Sequence, residues 1–281
     1  MTTEYRGNLG AENTDRFPSM AIWASFPMME HLQRKGRFQE FFEDFTLTTL
    51  LETAAVDDEQ LFASYIDTGN TIQPLPTEKN RGVLRLATDA TDNDGPVITM
   101  CGNVGANLMI SDTAGDDKKL WFEARWKKSS ITDNQCAMFI GLTEEARAVD
   151  NGLLTDDAGI LADIDHIGFN VAHDNGEELN WAYTKAGQVD TEVIAAMDSL
   201  VADTYVKTGF VYDPARDTAN RIAAYLNNVE QSTYVTGTNI AAATFPDAEE
   251  MCFSAGSKNG EATATNFDID WIGFAQVMLE S

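Results

Sequence analysis

The sequence has 281 residues, of which 43% are hydrophobic and 10% aromatic, so it is long and apolar enough to fold around a substantial core. Its formal net charge is −26, from 45 acidic and 19 basic residues. A surface this acidic repels phosphate backbones, and no basic stripe carries interleaved aromatics, so we expect no direct nucleic-acid binding.

Nothing in the sequence predicts a membrane span or a secretion signal. No apolar run approaches the roughly 18 residues that a transmembrane helix needs. Residues 1–5 lack the basic and then apolar pattern of a signal peptide. We therefore expect a protein that is made in the cytoplasm, is not secreted by the usual route and has no membrane partner.

Residues 1–38 differ in composition from the rest, and we predict them to form an N-terminal arm and short helix ahead of a β-sandwich domain at residues 39–281. Residues 1–16 are polar and contain glycine without any periodicity, which is typical of an extended arm. Residues 17–26, FPSMAIWASF, form an apolar patch, and a separate soluble domain carries such a patch chiefly when it docks on something.

A short helix is predicted over residues 28–35, because Pro27 suits the first helical position, basic residues end the run and Gly36 suits the C-terminal cap. Together the arm, the patch and the helix form a docking device whose apolar side chains we expect to be buried against a partner. These docking residues are Phe17, Ile22, Trp23, Phe26 and Met28. The alternative is that the segment covers an edge of its own sheet.

Strands predominate after this segment. The motif FFEDF at residues 41–45 predicts a first strand, and residues 47–75 give weaker signals, with short strands at 50–51 and 65–66. Further strands are predicted at 82–88, 96–101, 108–111, 119–128, 135–143, 165–172, 178–184, 191–196, 206–212, 222–226, 231–235, 250–255 and 266–277. Short strands at this spacing, with intervening turns rich in Asn, Asp and Gly, are typical of sandwiches and jelly rolls.

The clearest hairpin lies in residues 204–230, TYVKTGFVYDPARDTANRIAAYLNNVE. Residues 206, 208, 210 and 212 fall on one side of the first run and residues 222, 224 and 226 on one side of the second, and all but Thr208 are apolar, which is the pattern of two half-buried strands. Residues 213–217, DPARD, form a turn cluster between them. The pair at 227–228 is Asn-Asn, which tolerates positive φ and so predicts a tight reversal into a third strand.

A second informative run lies at residues 120–127, LWFEARWK, and alternates between two faces. The residues expected to face the core are Leu120, Phe122, Ala124 and Trp126, and those expected to face mostly solvent are Trp121, Glu123, Arg125 and Lys127. Residues 137–142 are apolar on both faces, which predicts a central strand that is covered on both sides.

The hairpin resembles a segment of laminin-G and concanavalin-like domains in which a strand ending in Tyr-Asp leads to a strand ending in Asn-Gly. Tyr205 stands where that segment has Trp, and Asn228 replaces the Gly. The FFEDF motif is similar to the F-x-D-D-F opening strand of such domains. The resemblance covers about residues 41–277 and implies a mainly β fold, a concanavalin-like jelly-roll sandwich of two antiparallel sheets.

More specifically, the stretches KLWFEARWKKSSITDNQCAMFIGLTEE, HIGFNVAHDNGEELNWAYTKAGQ and FDIDWIGFAQV resemble a group of tailed-phage structural proteins. The W-A-x-x-P stretch of that group is matched by WASFP at residues 23–27. The resemblance implies a non-enzymatic virion protein on the capsid surface, namely a capsid decoration or cement protein. Its expected partners are the major capsid protein and neighbouring copies of itself, so we expect an oligomer on the virion.

Because concanavalin-like folds also include glycoside hydrolases, the acidic motifs require a test against the E-x-D-x-x-E pattern of the laminarinase type. The motif DIDHIG at residues 163–168 and the motif DIDWIG at residues 268–273 come near it. Both end in Gly where the last Glu belongs, and neither begins with Glu. We predict no catalytic residues and expect these acidic residues on the solvent side of their strands.

Two acidic turns offer oxygen ligands of the kind calcium prefers. Their residues are Asp89, Asp92, Asp94, Asp112, Asp116 and Asp117. Met100 stands where an EF-hand-like loop would place its distal carboxylate, and turns rich in Asp also arise from backbone capping. We predict no bound metal and no cofactor. The cysteines, Cys101, Cys136 and Cys252, are scattered and are expected to be buried free thiols.

Sugar recognition uses exposed aromatic rings beside polar groups. The candidates for glycan contact are Trp121, Trp181, Tyr183 and Tyr205. They provide an alternative function, a carbohydrate-binding adhesin module on a phage tail or fibre. Trp and Tyr residues of a sandwich are, however, more often core or interface anchors.

Overall fold

The computed structural model describes residues 16–28, 37–46, 51–53, 62–75, 82–100, 107–148, 152–155, 161–189 and 191–278. Its strands are β1 Phe38–Glu43, β2 Leu51–Thr53, β3 Phe62–Tyr65, β4 Thr71–Pro74, β5 Leu84–Ala87, β6 Val97–Met100, β7 Leu108–Met109, β8 Leu120–Lys128, β9 Cys136–Thr143, β10 His166–Val171, β11 Glu178–Thr184, β12 Thr191–Ser199, β13 Val206–Tyr212, β14 Ile222–Leu226, β15 Val229–Val235, β16 Glu250–Asn259 and β17 Asn266–Val277. The helices are α1 Met20–Trp23 and α2 Gly237–Ile240, with 3₁₀ turns at His173–Asn175 and Thr218–Asn220.

The strands form two sheets. In the first sheet the order is β15-β14-β13-β8-β17-β5-β4, and β1 pairs with the C-terminal half of β17. In the second sheet the order is β12-β11-β10-β9-β16-β6-β3-β2, and β7 pairs with the start of β16. The pairs are antiparallel except for β2 with β3, which run parallel.

The main core lies between the inner faces of the two sheets and is rich in aromatic rings. Phe122 of β8 stacks on Phe210 of β13 at 5.2 Å between centroids and on Phe253 of β16 at 6.4 Å, so it links both sheets. Trp126 is fully buried beside it, and its indole nitrogen donates to Oγ1 of Thr208 at 2.9 Å. An aromatic side chain of this size dominates the free energy of burial.

Two smaller apolar clusters cover the outer faces of the sheets. On the second sheet, Leu153, Leu154 and Ile164 pack over Phe139 of β9, so this strand is buried on both faces as its sequence predicts. On the first sheet, residues 16–28 pack across β13, β8 and β17. We call residues 16–28 the N-terminal segment.

Most predicted strands are confirmed within a few residues, and so is the hairpin of β13 and β14. Asn227 and Asn228 have φ angles of 48° and 69°, and the chain reverses there into β15, as the Asn-Asn pair predicts. Strand β4 was not predicted, because its four residues lie in the region of weak signals. Helix α1 was also not predicted, whereas the helix predicted at residues 28–35 lies outside the described residues apart from Met28.

Residues 1–15, in which the extended arm was predicted, lie outside the described part of the chain. Among the helices that the structure describes, none is long and apolar enough to cross a membrane.

Candidate functional site

A trench crosses the outer face of the first sheet, where two glycines flank one carboxylate. Gly209 of β13 and Gly273 of β17 are the register partners of Glu123 on β8. A Cβ atom at Gly209 would lie 2.6 Å from Cδ1 of Ile22, and one at Gly273 would lie 3.3 Å from Cζ2 of Trp23. Gly209, Glu123 and Gly273 therefore form a docking trench that fits the N-terminal segment because two of its three positions lack side chains.

The carboxylate of Glu123 binds the segment directly. The backbone nitrogen of Ser19 donates to its two oxygens at 3.2 and 2.9 Å, and the indole nitrogen of Trp23 donates to Oε2 at 2.7 Å. The backbone nitrogen of Ala21 donates to Oδ1 of Asn228 at 3.0 Å. These acceptors satisfy N–H groups at the start of α1 that the helix itself leaves unpaired.

The electrostatics of the trench centre on the buried charge of Glu123. Burial raises the pKa of Glu123 above its usual range, and the hydrogen bonds from Ser19 and Trp23 and the charge of Lys207 oppose that rise only in part. Lys207 also binds the segment, since its Nζ donates to the carbonyl oxygen of Phe17 at 3.3 Å. Protonation of Glu123 and docking of the segment are therefore coupled.

Apolar contacts complete the docking. Ile22 is fully buried, and Phe26 meets Phe38 and Trp121 edge-on at centroid distances of 5.5 and 5.4 Å. The indole nitrogen of Trp121 donates to Oγ of Ser25 at 3.0 Å. The expectation that Trp121 and Glu123 face mostly solvent is therefore wrong, because the N-terminal segment covers that face of β8.

A row of ion pairs lies beside the trench on the same face. Nε of Arg16 lies 2.8 Å from Oδ1 of Asp270, and Arg125 donates to the other oxygen of that carboxylate. Arg85 binds Asp268 through two hydrogen bonds of 2.7 and 2.8 Å. Arg16 thus fixes the start of the N-terminal segment to β17, and both carboxylates are neutralised by guanidinium groups.

Asp268 and Asp270, the two acidic residues of DIDWIG, point to this face because they are two residues apart in β17, where a β-bulge also lies. The register shifts between Ile269 and Trp271, so Asp270 is an extra residue in the strand. Asp268 and Asp270 are each only 2% exposed, so the expectation that they face solvent is wrong. Their arginine partners, far away in the sequence, cover them.

The acidic residues of DIDHIG hold a turn. Oδ1 of Asp163 accepts from the backbone nitrogen of Gly187 at 2.6 Å, and Oδ1 of Asp165 accepts from that of Ala186 at 3.0 Å. Together they clamp the turn between β11 and β12. The two similar motifs therefore have different structural roles, since the acidic residues of DIDWIG form ion pairs and those of DIDHIG bind the backbone of a turn.

An apolar groove of about 710 Å³ opens where the N-terminal segment meets β1 and β17. Its lining residues are Pro18, Trp23, Phe26, Met28, Glu40, Phe41, Phe42 and Phe274. The large apolar side chains exposed on the segment and beside it form an apolar rim, which we define as Phe17, Met20, Met28 and Phe42, with exposed fractions of 63%, 72%, 56% and 54%. Met28 and Phe42 also line the groove, and exposed apolar side chains beside an apolar groove are typical of an interaction site.

The five predicted docking residues fall into two groups. Ile22 and Phe26 are buried against the chain's own first sheet, over its outer face and not over an edge. Trp23 is half-buried and lines the groove, and Phe17 and Met28 are exposed on the rim. The predicted docking residues do not include Met20, which lies within the predicted patch, or Phe42, which lies in the predicted first strand, although both are large, apolar and exposed.

Three of the four aromatic candidates for glycan contact are not available at the surface. Trp121, Trp181 and Tyr183 are at most 2% exposed, so their predicted exposure is wrong. Trp181 and Tyr183 alternate along β11 and both face the core between the sheets. Only Tyr205 of this set is half-buried, with the guanidinium carbon of Arg125 3.9 Å from its ring centroid.

The acidic turns act as caps in the structure. Asp89 accepts from the backbone nitrogen of Thr91 at 2.7 Å, and Asp117 accepts from that of Gly115 at 2.9 Å. In the described ranges, no group of three or more His, Cys, Asp or Glu residues is placed to hold a metal ion. Cys136 and Cys252 are buried free thiols as predicted, and Cys101 lies outside the described residues.

No family model and no curated protein matches the sequence. Solved structures are similar in fold. A protein of unknown function from Shewanella oneidensis MR-1 gives a TM-score of 0.53 at 16% identity, over 87% of this chain and 90% of that one. Peanut lectin in complex with a nine-residue peptide gives 0.52 at 12% identity, over 87% and 99% of the two chains. An endo-β-1,4-glucuronan lyase from the fungus Trichoderma reesei gives 0.50 at 12% identity, over 83% and 94%.

These similarities establish the fold. The chain is a mainly β, concanavalin-like jelly-roll sandwich of two sheets, as its sequence predicts. The same fold carries a lectin and a lyase among these structures, so the fold by itself does not select between binding and catalysis.

Proposed function

We propose that the chain is a non-enzymatic structural protein of a tailed-phage virion, a capsid decoration or cement protein that adheres to the head through the surface around its N-terminal segment. The observation that supports this most is the apolar groove and its rim on a chain whose net charge is −26. A large net charge keeps a protein soluble, whereas an exposed apolar patch lowers its solubility. We therefore assign the patch a binding role.

Adhesion is the mechanism in this proposal. Met20 and Phe42 lie on the rim with the predicted docking residues Phe17 and Met28, and all four are more than half exposed. Burying the rim against the major capsid protein or a neighbouring copy removes this apolar area from water. A shell presents many equivalent sites, so weak contacts made many times give firm attachment without a large single interface.

The state of the acidic motifs supports a non-enzymatic role. A glycosidase of the retaining type needs two carboxyl groups on either side of one bond, about 5–5.5 Å apart and open to substrate. Asp268 and Asp270 are paired with arginines and buried, and Asp163 and Asp165 cap a turn. These carboxylates already have structural partners.

The direct test is binding of purified full-length chain to heads that lack it, measured by co-sedimentation. The double variant Phe17→Ser, Phe42→Ser removes two exposed rings, each worth about 1 kcal/mol of further burial, so its affinity falls roughly 30-fold. Val201→Ser is the control, because Val201 is also exposed, at 62%, but lies outside the rim. Equal binding by both variants contradicts adhesion through this surface.

The alternative is a carbohydrate-binding adhesin module, and the observation that favours it is the similar fold of a lectin. Of the aromatic candidates, only Tyr205 is open enough to contact a sugar ring, and it is flanked by Arg125 and Lys127. This function predicts glycan-array binding that Tyr205→Ala abolishes. Retained glycan binding in that variant would exclude Tyr205 as the contact.

A further inference from the structure

We propose that the docking trench is a peptide-binding site that also accepts the N-terminal segment of a second copy, so that neighbouring copies are joined by exchange of residues 16–28. This inference rests on the proposed adhesive role, and it names a partner for that surface, a second copy of the same chain.

The first argument is that the segment is a docked peptide and not a member of the sheet. Its regular structure is the single turn of α1, and the outer face that it covers belongs to strands already paired with one another in the order β13-β8-β17. The described segment contributes no strand to either sheet. Exchange therefore leaves every strand pair of the sandwich intact.

The second argument is that the trench recognises the segment through side chains and caps that a second copy presents identically. Ile22 fills the space above Gly209, and Ser19 and Trp23 bind the carboxylate of Glu123. A segment arriving from a neighbour makes the same contacts with the same distances. The cost is only the entropy of association, which a crowded shell reduces.

The third argument is the position of the rim. Met28, the last described residue of the segment, and Phe42, on the strand that follows, are both exposed and both line the groove. The described segment therefore ends at the groove. Two copies that cover each other's rims bring the end of each segment close to the neighbour's trench.

The fourth argument is reach. The eight residues 29–36 connect the segment to Arg37, and a connection of that length can span at most about 30 Å. This distance reaches a copy in direct contact but not a more distant one. Exchange is thus confined to nearest neighbours, as an assembly on a shell requires.

The test uses full-length single-cysteine variants and a short thiol cross-linker. Ala21→Cys marks the segment, and Val229→Cys marks the strand next to Asn228, which binds Ala21. Both positions are exposed. The double variant Ala21→Cys, Val229→Cys forms a cross-link within one chain. It is used first to choose a linker length that bridges the two cysteines. The unmodified chain is the blank for the native thiols.

Mixing the two single variants, with different tags and at high concentration, should give a covalent dimer at least about tenfold above the level for Ala21→Cys mixed with Val189→Cys, because docking raises the effective concentration of the thiols. Val189 is 82% exposed and precedes β12 of the other sheet, so it reports random collisions. Adding Ile22→Asp to the Ala21→Cys chain should remove the excess.

A dimer yield at the collisional level, with linkers that close the double variant, overturns exchange. A yield that Ile22→Asp leaves unchanged also overturns it, because the trench then plays no part. The result is independent of head binding. Exchange without head binding would contradict only the proposed virion role. Head binding without exchange would contradict only this inference.

Discussion

Ile22→Ala should release the N-terminal segment without unfolding the sandwich. The Ile22 side chain is fully buried in the trench, and truncating such a side chain to Ala costs about 2–4 kcal/mol when the site relaxes partly. The hydrogen bonds to the carboxylate of Glu123 remain, and a hydrogen bond to a charged group contributes about 1.5–3 kcal/mol. Loss of Ile22 therefore removes as much of the free energy of docking as one or two of these hydrogen bonds supply.

Native-state hydrogen exchange measures this release. The backbone nitrogens of Trp23 and Ala24 donate to Ser19 and Met20 at 3.0 and 2.9 Å, and opening of the segment exposes them. Their exchange should accelerate by roughly 30- to 1,000-fold, since each 1.4 kcal/mol is about tenfold. Amides of the core strand β9 should keep their protection.

Met20→Ala is the matched control, because Met20 lies on the same helical turn and is 72% exposed. Methionine and alanine are both good helix formers, so the Met20→Ala variant should change the exchange rates by less than about threefold. Equal acceleration in the two variants would refute the argument that the trench holds the segment through Ile22.

The remaining predictions concern buried charges. Because burial raises the pKa of Glu123, the docked state binds a proton more tightly than the undocked state, so docking should strengthen as pH falls from neutral through the raised pKa and weaken as pH rises. Glu123→Gln should make docking nearly independent of pH in the same hydrogen-exchange measurement. Weaker docking at lower pH in the wild-type chain would contradict the predicted direction of the pH dependence. Asp268→Asn should lower the free energy of unfolding in urea by about 1–3 kcal/mol, because it breaks the pair with Arg85 and leaves a guanidinium that is partly open to water. The control Asp174→Asn, at an exposed position, should change stability by less than about 0.5 kcal/mol, and an equal loss in both would contradict the role of the ion pair.

The strands could be predicted from the sequence because their information is local. Alternation in β13 and β14 and the Asn227-Asn228 turn depend on residues within a few positions of each other. The same local reasoning gives the doubly covered strand β9 and the overall sandwich. The jelly-roll fold follows from many such strands at regular spacing.

The site could not be predicted in the same way, because it depends on distant contacts. Trp121 and Glu123 have the alternation of a solvent-facing side, and only the segment about 100 residues earlier covers them. The docking trench depends on Gly209 and Gly273 flanking Glu123, and sequence alone does not place three strands in register. Charge pairs such as Arg16 with Asp270 join opposite ends of the chain.

The aromatic candidates show where local signals were available but were interpreted wrongly. Trp181 and Tyr183 alternate along β11, and alternation of large apolar residues indicates a core face. Trp181 and Tyr183 therefore have the residue types of a sugar-binding site but lie on the core face. The proposed binding surface depends instead on exposed apolar residues such as Phe42.

The most direct test of the proposed virion role is to localise the chain on purified tailed-phage particles by gold labelling and electron microscopy. A decoration protein that adheres through its rim and N-terminal segment predicts label distributed over the head. Label that is confined to the tail, or absent from the particles, would contradict the account.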